Sequence, residues 1–245
     1  MKLFKTLGLL LPVLIVLGFS PVNTQNLVSV VQVNSTISLP NISDLPVTRV
    51  HAVSGWSDCF AIMFSGDGGW SNFDQGVTSQ LAANGISTLG LNSLKYIWNK
   101  KTPEQITSDL GRLIGRGEAE FDKPKVILIG YSCGANLVPF AYNRLNDSLK
   151  AKVQSIVLLS PEPMADFEFH FYNWANKSSS KAQPVKPELE KMRNVPTLFI
   201  YGSEENNSWC ADLMNGMFRL KKLPGGHHFG QDTGRVAGEI LRFRI

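Results

Sequence analysis

The sequence predicts an α/β fold whose central sheet is mainly parallel, with helices on both faces. Three observations carry that expectation. Short apolar runs at 59–64, 126–129, 153–159 and 195–201 are bounded by Gly, Pro, Asn and Ser, the pattern of strands buried on both faces. Segments with helical periodicity and cap signals lie between them, as crossover helices do in a parallel sheet. The run at 126–129 also leads directly into Gly130-Tyr131-Ser132-Cys133-Gly134-Ala135, with a helix-like pattern beyond. Gly-x-Ser-x-Gly between a strand and a helix is the setting of a nucleophile elbow, a turn so tight that small residues must flank the serine. The expected fold is therefore that of an α/β-hydrolase, with Ser132 as candidate nucleophile. The plainer reading is a strand-to-helix turn without chemistry.

Length and composition agree. The 245 residues, 43% hydrophobic and 18% charged, suit a single α/β domain over 45–245 that needs no disulfides. Residues 1–24 read as a signal peptide. Lys2 and Lys5 precede an apolar stretch at 7–17 that is too short to span a bilayer. Cleavage near Ser20 or Thr24 is expected, an uncleaved anchor is the alternative, and the absence of a twin arginine argues against Tat export. Without Lys2 and Lys5 the net charge falls from +4 to +2, and no basic run exceeds two residues, which argues against nucleic acid as a partner. Three cysteines, Cys59, Cys133 and Cys210, leave at least one thiol free without choosing a pair, and their spacing is not that of a zinc site. No metal or cofactor is implied.

Taken in order, 25–44 is a polar, Asn/Ser-rich segment, and 45–51 is a strand on which His51 reads as structural. The strand at 59–64 runs into Ser65-Gly66-Asp67-Gly68-Gly69-Trp70. A glycine-rich loop after an early strand lets backbone N–H groups approach a substrate oxyanion. The first donor is expected within Asp67, Gly68 and Gly69, and the second is the N–H of Cys133. The loop lacks both phosphate-binding glycine patterns. A helix at 73–84 ends at Gly85, and a strand follows at 86–91. Tyr96 and Trp98 fall on a loop at 93–98, either as pocket walls or as packing. Thr102, Pro103 and Gln105 form an N-cap, first helical proline and capping-box partner for a helix to about Arg116.

A helix is expected at 135–145, then a strand at 153–159 and a turn at Ser160-Pro161-Glu162-Pro163. Residues 165–174 alternate, with Asp166, Glu168 and His170 opposite Phe167, Phe169 and Phe171. They read as an inserted strand within a small insertion around 161–190. Its polar face is either a subsite for a cationic substrate or a solvated edge, and 178–187 is a candidate mobile cover. A carboxylate just after the strand at 195–201 stands where the order Ser…acid…His puts the orienting acid. Glu205 is the first choice and Glu204 its replacement. After a strand at 218–223, Pro224-Gly225-Gly226-His227 resembles the ending of serine thioesterases, which place the base directly after the glycines. That favours His227, with His228 the alternative, ahead of a terminal helix from Thr233.

These motifs, read together, resemble one family. Ser65-Gly-Asp-Gly-Gly-Trp70, Asp74, Ser93-Leu-Lys-Tyr-x-Trp98, Thr102-Pro-Glu-Gln105, Gly130-Tyr-Ser-x-Gly-Ala135, Ala165-Asp-Phe-Glu-Phe-His170 with Trp174, Tyr201-Gly-x-Glu-Glu205 and Gly225-Gly-His-His-Phe229 are similar to the VirJ/AcvB family of exported bacterial α/β-hydrolases. The likeness runs from about Ser57 to the C-terminus. The single hydrolase domain is more like VirJ-type members, since AcvB-type members carry a further N-terminal domain. The resemblance implies a periplasmic protein. AcvB-type members hydrolyse aminoacyl-phosphatidylglycerol, especially the lysyl form, and VirJ-type members are linked to virulence and type IV secretion. Cys133 departs from the bulky residue expected after the serine, and Asn136 from an expected acid. A lysyl ester would be cationic, and Asp166, Glu168 or Asp67 could pair with its ammonium groups. The expected function is a monomeric serine esterase acting on an aminoacyl phospholipid at the membrane surface. The alternative is a non-enzymatic periplasmic adaptor, in contact with type IV secretion components, on a hydrolase scaffold.

Overall fold

The chain is described by a computed structural model over residues 39–53, 57–169, 180–205 and 218–243, which belong to one unit, Ser38–Ile245. In chain order the elements are β1 (Val47–Val50), β2 (Cys59–Phe64), α1 (Asn72–Ala83), β3 (Thr88–Leu91), α2 (Ser93–Tyr96), α3 (Pro103–Phe121), β4 (Lys125–Tyr131) and α4 (Cys133–Asn143). Then come α5 (Asp147–Lys150), β5 (Val153–Leu159), β6 (Met164–Ala165), β7 (Gln183–Pro184), α6 (Lys186–Glu190), β8 (Thr197–Gly202), β9 (Arg219–Leu223) and α7 (Thr233–Phe243).

Among the described residues the main sheet runs β1-β3-β2-β4-β5-β8-β9. Every pairing is parallel except that of β1 with β3. Alternate residues of the central strands face opposite ways. Val126 and Leu128 of β4 belong to one core cluster with Leu110 of α3 and Leu137 and Phe140 of α4, whereas Ile127 and Ile129 belong to a second with Val77 of α1 and Val236 of α7. The central strands β2 and β4 are therefore buried from both sides, which is why they read as unbroken apolar runs rather than alternating ones. Each such buried side chain contributes roughly 1.5–3 kcal/mol of transfer free energy.

The helix starts follow the cap chemistry. The Ser71 side chain and Asp74 form a reciprocal capping box on α1, and Thr102 and Gln105 form one on α3 with Pro103 in the first turn. Among the described residues no helix is long and apolar enough to cross a membrane.

Two local expectations are corrected. Residues 93–98 are not simply loop: Asn92 caps the short helix α2 through the N–H of Lys95. Of the two readings of Tyr96, packing holds: it is buried and its hydroxyl donates to Asp109 at 2.7 Å. The inserted strand shrinks to Met164–Ala165, paired with Gln183–Pro184. Two residues of pairing give the alternation that follows nothing to register on, and 166–169 leave the ladder, while 170–174 lie outside the described residues. Of the proposed cover, Val185 is fully buried, whereas Lys181, Gln183, Pro184, Lys186 and Pro187 are exposed. The leader, His170, Trp174 and Cys210 lie outside the described residues.

Candidate active site

β4 ends at Tyr131 and α4 begins at Cys133, so the whole turn is Ser132, at φ 50° and ψ −122°. That left-handed conformation costs a non-glycine residue on the order of 1–3 kcal/mol. It is held from both sides: the Ser132 N–H donates to the Leu159 carbonyl at 2.9 Å, and the Ser132 carbonyl accepts from the N–H groups of Ala135 and Asn136. A methyl on Gly134 would lie 2.3 Å from the Phe64 carbonyl oxygen, and one on Gly130 would lie 2.5 Å from the Ala135 Cα. The two motif glycines are thus required by backbone passing over backbone. The first N–H groups of α4 have no acceptor within the helix and point their positive dipole end at the turn.

Two loops from other strands reach this serine. Glu205 follows β8, and His227 follows β9. The His227 Nε2 lies 2.8 Å from Ser132 Oγ and its Nδ1 lies 2.8 Å from Glu205 Oε1. The other carboxylate oxygen accepts from the Gly202 N–H at 2.6 Å and from the Ser160 hydroxyl at 2.8 Å. An ionised Glu205 can only accept, so Nδ1 carries a proton, and Nε2 is left to receive the Ser132 hydroxyl proton. The chain Ser–His–Glu is continuous and runs through His227 and Glu205; the carboxylate on His227 Nδ1 is that of Glu205, and the His228 Nδ1 is bound instead to the Tyr131 hydroxyl.

The electrostatics are consistent with these contacts. Burial pulls the His227 imidazole toward neutrality, but its bond to Glu205 and the negative fields of Glu205, Glu162 and Asp67 outweigh that and raise it above its ordinary value. Burial pushes Glu205 up, but the His227, Gly202 and Ser160 bonds outweigh that and hold it below the usual carboxylate range. Burial, with the carboxylates of Asp67, Glu162 and Asp166 around it, pushes the Cys133 thiol well up, so it stays neutral. Cys133 is a free thiol.

The glycine-rich loop forms the other wall. Gly66 and Gly69 bridge to each other, the Gly69 N–H donating to the Gly66 carbonyl at 3.1 Å. Gly69 is thereby removed from the candidate donors, and Asp67 and Gly68 remain with Cys133. A methyl on Gly66 would come within 3.5 Å of the Ser132 Cβ, so this loop passes directly beside the serine. Asp67, Gly68, Ser132 and His227 line one cavity of about 330 Å³. Asp166 and Glu168 do not line it: they border a separate cavity of about 320 Å³ together with Lys100, Lys101 and Lys181. Among the described residues no cluster of His, Cys, Asp and Glu could hold a metal ion.

Three site residues escape sequence reasoning. Ser160, at φ 43° and fully buried, bonds Glu205 and lies 3.3 Å from the His227 carbonyl. Its signal was a polar residue at the carboxyl end of β5, on the same sheet edge as the elbow. Asn136 accepts the Glu162 N–H at 2.8 Å and donates to the Met164 carbonyl at 3.1 Å. An amide can do both where the expected acid could only accept. Tyr131 touches both histidine residues and is taken up below.

Residues 58–243 match the model of the family described as bacterial virulence protein (VirJ). No curated protein matches the chain. Among solved structures it is similar to a putative dienelactone hydrolase from Klebsiella pneumoniae, at 11% identity over 82% of this chain and 92% of that one, with a TM-score of 0.59. It is also similar to MenH from S. aureus, at 13% identity over 80% of this chain and 97% of that one, TM-score 0.58. Est1E from Butyrivibrio proteoclasticus aligns at 14% identity over 80% of this chain and 93% of that one, TM-score 0.56. At these identities the likeness establishes the α/β-hydrolase fold.

Proposed function

The chain belongs to the VirJ family of bacterial virulence proteins, and on that premise we propose that it is an exported, periplasmic serine esterase acting on an aminoacyl phospholipid, lysyl-phosphatidylglycerol before others. The observation that carries the reading is the unbroken chain from Ser132 Oγ through His227 to Glu205, each link 2.8 Å. A free serine hydroxyl is a poor nucleophile. His227 takes its proton as Oγ attacks the ester carbonyl, then gives it to the departing alcohol. Glu205 holds the tautomer and stabilises the imidazolium. The N–H of Cys133 and those of Asp67 and Gly68 receive the oxyanion, and losing one such donor typically costs about 10²–10³ in rate. Water then attacks the acyl-enzyme by the same route in reverse.

The aminoacyl part of the proposal rests on charge. Asp67, Glu162 and Asp166 all act on the residue after the serine, a setting that favours an acyl group carrying ammonium groups. Asp166 and Glu168 are assigned to its far end, which would then have to reach from the Ser132 cavity into the neighbouring one that they share with Lys100, Lys101 and Lys181. Changing both to amides is expected to raise KM for a lysyl ester more than for an alanyl one; equal effects remove that assignment. The leader pattern supports export, and the family supports a link to virulence and type IV secretion.

The test is turnover of lysyl-phosphatidylglycerol in micelles by protein starting at residue 25, beside Ser132→Ala. Lysine release that vanishes in the variant supports the whole reading. Hydrolysis of a short-chain ester but not of the lipid keeps the esterase and rejects the substrate. No turnover of either, with Ser132→Ala still functional in cells, favours the adaptor.

A further inference from the structure

We propose that Tyr131 and His228 form a positioning pair that clips the loop carrying His227 onto the strand carrying Ser132. Tyr131 is the last residue of β4, immediately before the serine, and is only 4% exposed. Its ring packs on Phe73 at 4.6 Å, and the Gly66 backbone passes it so closely that a methyl there would stand 3.3 Å from the ring. The ring is thus clamped between α1 and the glycine-rich loop, which fixes where its hydroxyl points. That hydroxyl bonds the His228 Nδ1 and lies 3.4 Å from the His227 carbonyl. On the far side Phe229 is buried and stacks on the same Phe73 at 5.9 Å. The histidine loop is therefore gripped at two successive residues, His228 by its ring and Phe229 by its side chain.

Phe229 alone would anchor the loop but leave it free to roll, because an apolar contact has no direction. A hydrogen bond is directional. The Tyr131–His228 bond supplies an angular restraint one residue from the imidazole that must meet Ser132 Oγ. The tyrosine hydroxyl has a single proton and two acceptors before it, the His228 Nδ1 and the His227 carbonyl. The closer partner is the His228 ring, so that residue provides the acceptor. This gives the second histidine a task distinct from proton transfer.

The inference rests on the esterase reading, and the experiment separates the two. Steady-state hydrolysis of para-nitrophenyl butyrate and the rate of Ser132 labelling by a fluorophosphonate are measured for Tyr131→Phe, His228→Ala, the double variant, His228→Asn and Ser132→Ala. Misplacing a base by a fraction of an ångström is expected to lower kcat and the labelling rate about tenfold in each single variant, with KM within about twofold. Residues acting through one bond are not additive, so the double variant should be no slower than the worse single one. His228→Asn places an acceptor oxygen where Nδ1 stood and should recover most of the loss. Multiplying effects, an unchanged kcat with a raised KM, or no rescue by asparagine overturns the pair. Turnover and labelling that persist in Ser132→Ala overturn the esterase reading itself.

Discussion

Both oxygens of Glu205 are occupied, one by His227 and the other by two donors, Gly202 and Ser160. The carboxylate is therefore held ionised and oriented before any substrate arrives. Two predictions follow at this scale. His227 is raised above its ordinary value, and it acts as base only when neutral. The acid limb of kcat/KM is thus expected above pH ~6.5, the ordinary histidine value. Glu205→Gln removes the largest upward influence, so the limb should move to lower pH while the rate falls about 10³–10⁴-fold through loss of the correct tautomer. A pH–rate series on both proteins checks it; an unmoved limb refutes the assignment. The linked stability has opposite signs. The raised His227 stabilises the fold most below its unfolded value, an effect lost as pH rises through the folded one. The lowered Glu205 stabilises above its unfolded value, an effect lost as pH falls through the folded one. Ser160→Ala removes one donor to an ionised carboxylate and is expected to cost about 1.5–3 kcal/mol, read as a lower urea midpoint.

At the scale of elements, the site depends on where helices begin. α1 starts directly after the glycine-rich loop, and its capping box holds the buried Asp74, whose Oδ2 accepts from the Ser71 N–H at 2.9 Å and from the Ser71 hydroxyl at 2.5 Å. Burial raises Asp74 above the usual carboxylate range despite those bonds. Ser71→Ala should cost about 1–2 kcal/mol through the lost cap, and should also loosen Phe73, on which Tyr131 and Phe229 rest. Thr102→Ala, in a similar box on α3 that borders the cavity of Asp166 and Glu168 rather than that of Ser132, should cost about 1 kcal/mol and leave kcat alone. Comparing urea midpoints with kcat for the two separates capping from positioning. α4 admits less change. With 2.3 Å between a methyl on Gly134 and the Phe64 carbonyl oxygen, Gly134→Ala must push α4 off the sheet. A loss of about 2 kcal/mol or more is expected, with activity gone even where the protein still folds.

Across the whole molecule, the site stands where parallel α/β sheets place their ligands, outside the carboxyl ends of the strands. β2, β4, β5, β8 and β9 each end in a residue or loop that contributes to it. The strands were legible because burial on both faces leaves only apolar residues, and the elbow because its two glycines are forced by backbone contact. The order of serine, acid and base was legible for the same topological reason. What was not legible depended on distant partners. His227 and His228 are chemically alike and adjacent, and partners far along the chain distinguish them: Ser132 and Glu205 for His227, and Tyr131, 97 residues away, for His228. The alternation at 165–174 followed a strand period but had only a two-residue ladder to join. Tyr96 faced α3 because Asp109 lay there to receive its hydroxyl. One consequence concerns heat resistance. The left-handed turn at Ser132 opposes folding, whereas glycine adopts it freely. Ser132→Gly should therefore yield a protein without activity whose Tm is higher by about 2–4 °C, the shift expected for about 1 kcal/mol in a chain of this length. The native chain, in that comparison, is less heat-resistant than its own inert variant because it keeps a side chain where the backbone would prefer none.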